Sequence, residues 1–257
     1  MQQQNNVRRI ALVTGASAGF GKAICTRLVR DGYQVVAAAR RMDRLKALRD
    51  ELGAAVYPVE MDVCDADAVA RTREDVLSSL GHVDLLVNNA GLALGLEPAH
   101  KARFDEWQTM IDTNVTGLAR VTHAFLPHMV ERGRGHVVNM GSVAAHYPYP
   151  GGNAYGATKA FVAQFSLNLR ADLAGTGVRV TDVQPGLCGG TEFSNVRFRG
   201  DDAKAANVYQ GVQPLTPEDI AETVAWVAGL PPHFNVNAIE IMPVAQSFAG
   251  MTITRNS

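Results

Sequence analysis

The stretch Arg9-Ile-Ala-Leu-Val-Thr-Gly15-Ala-Ser-Ala-Gly19-Phe-Gly21 decides the fold. Its first six residues form a short, mostly apolar run, as expected of a parallel strand buried on both faces. Three glycines follow, and apolar positions then recur with helical period at Ala23, Ile24, Leu28 and Val29. Strand, glycine turn and helix start, in that order, make a phosphate-binding device. The glycines let the backbone approach a pyrophosphate, and free amides at the helix N-terminus supply donors and positive dipole. The spacing is G-x-x-x-G-x-G rather than the commoner G-x-G-x-x-G, and a tight turn alone also uses glycine. The context favours a dinucleotide, with Gly15, Ser17, Gly19, Phe20 and Gly21 as its contacts.

Outward from this stretch, strands and helices alternate to the end of the chain. Strands are predicted at 32–39, 54–60, 83–88, 135–141, 177–184 and 236–242. Helices are predicted at 43–52 with Asp43 as cap, 66–80, 104–130, 154–174 and 216–229. The last begins at Thr216-Pro-Glu-Asp219, a capping threonine followed by proline and first-turn acids. The pattern implies an α/β fold: a doubly wound, mostly parallel seven-stranded Rossmann-type sheet with helices on both faces. No repeat or linker divides the chain, so residues 1–257 read as one domain. The segment 186–215 is long enough to be a substrate loop or to hold short helices of its own. The tail 243–257, with Phe248, Met251 and Ile253, is apolar enough to need a partner surface.

Strand ends supply the candidate chemistry. The second strand closes on Arg40-Arg41, where an NAD-binding unit carries an acid for the ribose hydroxyls. Two guanidiniums there clamp a 2′-phosphate, which favours NADP; the alternative is a solvated charge pair opening the next helix. Asp62, with Val63, lies where it either binds the adenine amine or caps the following helix. Asn88-Asn89-Ala90-Gly91 is a small turn that allows close approach to the cofactor. Asn114 falls inside a helical stretch, an unfavourable place for asparagine unless it has a task. Tyr155 and Lys159 stand one helical turn apart on one face, and an ammonium beside a phenol favours its ionised form. Such a pair suits proton transfer to a carbonyl oxygen, and Ser142, at the end of the fifth strand, can hold the same oxygen.

Composition limits the alternatives. With 47% apolar and 19% charged residues and a formal net charge of −1, the chain has no basic field for nucleic acid or acidic lipid. No apolar run is long enough to span a bilayer, and residues 1–6 lack a signal-peptide pattern. Three scattered cysteines, Cys25, Cys64 and Cys188, suggest reduced thiols and a cytoplasmic location. The histidines show no ligand spacing, so no catalytic metal is expected.

Taken together, Thr14–Gly21, Asp62-Val63, Asn88–Gly91, Asn114, Ser142, Tyr155-x-x-x-Lys159 and Pro185-Gly186 resemble the short-chain dehydrogenase/reductase family along nearly the whole chain. The runs 89–95, 151–161 and 186–197 resemble its NADP-dependent 3-hydroxy acid dehydrogenases, a group that includes serine 3-dehydrogenases. The resemblance implies that Tyr155 is the general acid/base and that Lys159 biases it and holds the nicotinamide ribose. It also implies that Ser142 steadies the substrate oxygen and that Asn114 holds a water relaying protons from Lys159. Tyr155, Lys159, Pro185 and Gly186 join the cofactor contacts, and a homotetramer is expected. The expected substrates are small 3-hydroxy acids such as L-allo-threonine, L-serine or 3-hydroxypropionate, with their oxo acids or semialdehydes. The alternatives are another acid aldehyde such as sulfoacetaldehyde, or a non-catalytic nucleotide sensor on the same fold. Arg197 is the candidate for the substrate carboxylate; the competing reading pairs it at the surface with Asp201 or Asp202.

Overall fold

The computed structural model describes residues 8–248, so the lead-in and residues 249–257 of the apolar tail lie outside the described residues. In chain order the strands are β1 (Arg9–Thr14), β2 (Tyr33–Ala39), β3 (Val56–Glu60), β4 (Leu85–Asn88), β5 (Gly135–Met140), β6 (Val178–Pro185) and β7 (Ala238–Ile241). They form one seven-stranded sheet in the order β3-β2-β1-β4-β5-β6-β7. Every pairing between neighbours is parallel. The winding direction reverses between β1 and β4, and ligands of open α/β sheets bind outside the carboxyl ends of the strands at such a point.

Side chains alternate across each strand, so the two faces of the sheet build separate cores. On one face Ala11, Val13, Val35 and Ala37 pack with Ile24 and Leu28 of α1 (Gly19–Arg30), Leu45 of α2 (Met42–Leu52) and residues such as Ile220 and Val224 further on. On the other, Ile10, Leu12, Val36 and Ala38 pack with Val69 and Val76 of α3 (Ala66–Leu80) and with Val121, Phe125 and Leu169. This alternation within a continuous apolar run is what a strand covered on both faces requires.

The remaining helices are α4 (Phe104–Ile111), α5 (Leu118–Glu131), α6 (Asn153–Asp172), α7 (Phe193–Arg197), α8 (Asp202–Asn207) and α9 (Pro217–Gly229). The long segment after β6 therefore holds two short helices. At α9 the Thr216 hydroxyl accepts from the Asp219 backbone amide and the Asp219 carboxylate accepts from the Thr216 amide, a reciprocal capping box.

Three local expectations need correction. Asp43 does not cap α2: the helix starts one residue earlier because Met42 packs onto the first core, which leaves Asp43 in the first turn. Asp62 does not cap α3 either; Asp65 does, accepting from the amides of Asp67 and Ala68, while Asp62 accepts from Cys64 N at 2.9 Å. The predicted continuous helix at 104–130 is interrupted by a π-helical segment, Asp112–Gly117, with Asn114 in it. Such bulges change the direction in which side chains project and recur at functional sites.

Candidate active site

A cleft of about 670 Å³ opens at the carboxyl ends of the strands. One wall is the glycine turn between β1 and α1. Gly15 adopts φ +66°, and a Cβ on Gly21 would collide with the Gly15 carbonyl oxygen, so the turn closes only without side chains at these positions. The free amides of the start of α1 thus border open space, and this cradle suits a pyrophosphate.

Thr14, which the sequence reading did not single out, ties this turn to the next one. Its hydroxyl accepts from Asn89 N at 3.0 Å and Ala90 N at 2.9 Å, while Asn89 Nδ2 donates to Thr14 O at 2.9 Å. The turns after β1 and β4 therefore form a single rim at the point of reversed winding. Its sequence signal was available, since a threonine ending a buried strand must satisfy its hydroxyl somewhere.

Arg40, Arg41, Asp62 and Val63 line the adjoining part of the cleft. Arg41 is the better anchored of the two arginines: its Nε and Nη2 donate to Ser17 Oγ at 3.2 and 3.1 Å.

At the other end stand the proton-transfer candidates. Helix α6 places Tyr155 and Lys159 on one buried face, with Lys159 Nζ 5.8 Å from the Tyr155 ring centre. A polar chain inside the protein fixes this helix to the sheet. Asn88 Nδ2 donates to Asn139 Oδ1 and to Thr122 Oγ1, and Asn139 Nδ2 donates to Ser166 Oγ on α6. Lys159 Nζ donates to Met140 O at 2.7 Å, at the last residue of β5. Ser142 stands two residues further on; its hydroxyl donates to Pro185 O at 3.4 Å and accepts from Ala144 N at 3.1 Å.

Asn114 does not point to solvent. Its Oδ1 accepts from Leu92 N at 2.9 Å, and its Nδ2 donates to Leu92 O at 2.8 Å and to Thr158 Oγ1 at 3.1 Å. The π-helical segment aims this amide at the loop after β4 and at α6 together, which explains an asparagine where helix propensity disfavours one.

Burial controls the electrostatics. It pushes the Tyr155 phenol up to about 12, with the neighbouring Ser142 hydroxyl and the Arg197 charge acting downward. It pulls the Lys159 ammonium down to about 8, with the Asp182 charge acting upward. The expectation that a neighbouring ammonium lowers the phenol is therefore outweighed by desolvation, and the downward charge comes from Arg197.

Arg197 enters the same space. Its guanidinium carbon lies 5.6 Å from the Tyr155 ring centre and 5.5 Å from that of Tyr149. Its Nη2 donates to Tyr149 Oη at 2.6 Å and its Nε to Gly95 O at 3.3 Å. Asp201 instead pairs with Lys204, and Asp202 accepts from Asn195. Among the described residues Arg197 has no carboxylate partner, so the surface pairing expected as the alternative is absent. Tyr149 lies in the loop after β5 and had no local signal.

A nucleotide cradle joined to a buried Ser-Tyr-Lys group is the arrangement of a nicotinamide-dependent oxidoreductase. The short chain dehydrogenase family model matches residues 9–201. The chain belongs to this family. It is 59% identical over 247 residues to the NADP-dependent 3-hydroxy acid dehydrogenase YdfG of Salmonella typhi, covering 96% of this chain and 100% of that protein. It is 52% identical over 246 residues to the serine 3-dehydrogenase of Rhizobium radiobacter, covering 96% of this chain and 98% of the relative. Among solved structures, the closed form of a serine dehydrogenase complexed with NADP+ superposes with a TM-score of 0.95 at 57% identity, covering 96% and 100% of the two chains.

Proposed function

We propose that this short-chain dehydrogenase is an NADP-dependent enzyme that interconverts small 3-hydroxy acids, such as L-serine, L-allo-threonine or 3-hydroxypropionate, with their 3-oxo acids or semialdehydes. One observation carries the substrate class: a guanidinium without an acidic partner among the described residues, Arg197, stands beside the Tyr155 ring in the cleft. A carboxylate gripped there by two parallel hydrogen bonds is held and oriented at the same time. The relatives named above support the same class.

The glycine turn, Ser17, Phe20, Asp62, Val63, Asn89, Ala90, Gly91, Pro185 and Gly186 line the cleft or its rim and would hold the dinucleotide, with Arg40 and Arg41 at its 2′-phosphate. When bound, the nicotinamide supplies the hydride chemistry. Tyr155, kept protonated by burial, serves as general acid to the carbonyl oxygen in reduction, and in the reverse direction its phenolate form takes the hydroxyl proton. Ser142 steadies that oxygen. Lys159 brings an ammonium made more acidic by burial to the same face, and Asn114 braces α6 against the loop after β4. The water relay expected at Asn114 stays part of this proposal, beside a side chain already engaged by Leu92 and Thr158.

The proposal extends to residues 1–257 as a single catalytic domain with 186–215 as its substrate loop. No helix among the described residues is long and apolar enough to cross a membrane. A cytoplasmic homotetramer fits the free thiols and the exposed Phe104, Leu167 and Trp226. The test follows NADPH absorbance with a panel of carboxylate semialdehydes, sulfoacetaldehyde and neutral aldehydes of the same size. The carboxylates should be preferred, and Arg197→Met should raise their KM by a factor reflecting about 2–5 kcal/mol for a buried charge pair, with far less effect on neutral aldehydes. Equal losses on both would reduce Arg197 to a loop anchor. Faster turnover of sulfoacetaldehyde would move the substrate class to sulfonates.

A further inference from the structure

The start of α7 is tied to Arg41, one of the two arginines assigned above to the 2′-phosphate, and to Arg44 of α2. Glu192, immediately before α7, places Oε2 2.9 Å from Arg41 Nη1 and Oε1 2.7 Å from Arg44 Nη1. One carboxylate thus bridges two guanidiniums, and both hold it below the ordinary carboxylate range. Arg41 meanwhile keeps its other donors on Ser17 in the glycine turn. At the far end of the same five-residue helix, Arg197 lies over Tyr155. Just beyond it, Arg199 donates to both carboxylate oxygens of Glu106 on α4, at 2.6 and 2.9 Å. One short helix therefore has its first end on the cofactor side of the cleft and its last end on the substrate side.

We propose that Glu192 is a selectivity residue that competes with the 2′-phosphate for Arg41 and Arg44 and so couples phosphate binding to the substrate side of the cleft. The proposal rests on the NADP reading. A phosphate and a carboxylate seek the same donors, and two anions at one pair of guanidiniums repel each other. All three side chains are close to half exposed, so the internal pairs are weak and a dianionic phosphate displaces the carboxylate. A ligand without the phosphate leaves Glu192 in place. Displacement removes the charged tether at the first end of α7, where Phe193 against the Tyr155 ring and the Ser194–Tyr209 hydroxyl contact remain, while Gly95, Tyr149 and Glu106 hold the last, so the helix loosens at its Glu192 end. Arg44, a helical turn after Arg41 on α2, becomes a further arm of the phosphate site.

The test uses 2′,5′-ADP and AMP, neither of which carries nicotinamide or reaches the substrate end. Calorimetric titration of the parent and of Glu192→Gln measures the competition. The variant should bind 2′,5′-ADP about three- to tenfold more tightly, with AMP unchanged to within about twofold, as expected for the loss of two exposed pairs. Hydrogen exchange measures the coupling. In the parent, 2′,5′-ADP should speed exchange across 191–199 and AMP should not. In Glu192→Gln the segment should exchange fast with or without ligand. Unchanged or weaker binding of 2′,5′-ADP by the variant overturns the competition, and exchange in the parent that ignores the phosphate overturns the coupling. If the parent binds 2′,5′-ADP no better than AMP, which lacks only the 2′-phosphate, the NADP reading itself fails and takes this proposal with it, a result visible before any variant is made.

Discussion

Lys159→Met tests the electrostatics of the cleft through stability rather than turnover. Lys159 is only 8% exposed, and burial pulls its ammonium from 10.5 to about 8. That drop, at 1.36 kcal/mol per pH unit, amounts to about 3 kcal/mol acting against the folded state at neutral pH. The folded value lies below the unfolded one. The cost is therefore fully present below pH 8 and is relieved between about 8 and 10.5, where the folded protein sheds the proton and the unfolded chain keeps it. Methionine removes the ammonium but leaves the Met140 carbonyl without its donor, a loss of about 1–3 kcal/mol. At pH 7 the two effects nearly cancel, so the variant should match the parent to within about 2 kcal/mol while losing activity. Between pH 7 and 10.5 the parent should gain about 3 kcal/mol on the variant. Urea unfolding of both proteins across this range measures the difference, and titrations common to the two cancel. A difference flat to within about 1 kcal/mol would refute the reasoning, because an ammonium that burial penalises cannot leave stability independent of pH in this window.

Two further outcomes follow from the same geometry. Tyr155→Phe keeps the buried ring and removes the hydroxyl; turnover should fall by about 10² to 10⁴ while dinucleotide binding and Tm persist, and near-normal turnover would place the proton donor elsewhere. Gly21→Ala forces a methyl group against the Gly15 carbonyl oxygen, so it should cost about 1–3 kcal/mol and weaken dinucleotide binding. Thermal melts and calorimetry check the second, and an unchanged Tm and Kd would disprove the close approach.

What the sequence determined by itself was local or periodic. The apolar run of Arg9–Thr14, the glycines after it and the Thr216 capping box each act through neighbours a few residues away, and each formed as read. The alternation of strands and helices was enough for a parallel, doubly wound sheet, because crossover handedness leaves few other topologies. Tyr155 and Lys159 share a face for the same reason: four residues make about one turn. The failures were contests between nearby alternatives that packing resolved. Met42 found the core and displaced the expected cap at Asp43, and Asp65 rather than Asp62 took the start of α3. The π-helical segment at Asp112–Gly117 has no local signature, since it depends on what Asn114 meets at Leu92 and Thr158. Tertiary structure alone decided where the long charged side chains go. Arg197 turns toward Tyr149 and Tyr155, and Glu192 reaches Arg41 and Arg44 across about 150 residues of chain. A flexible side chain carries no periodicity of its own, and its partner is set only once the backbone has brought distant segments together.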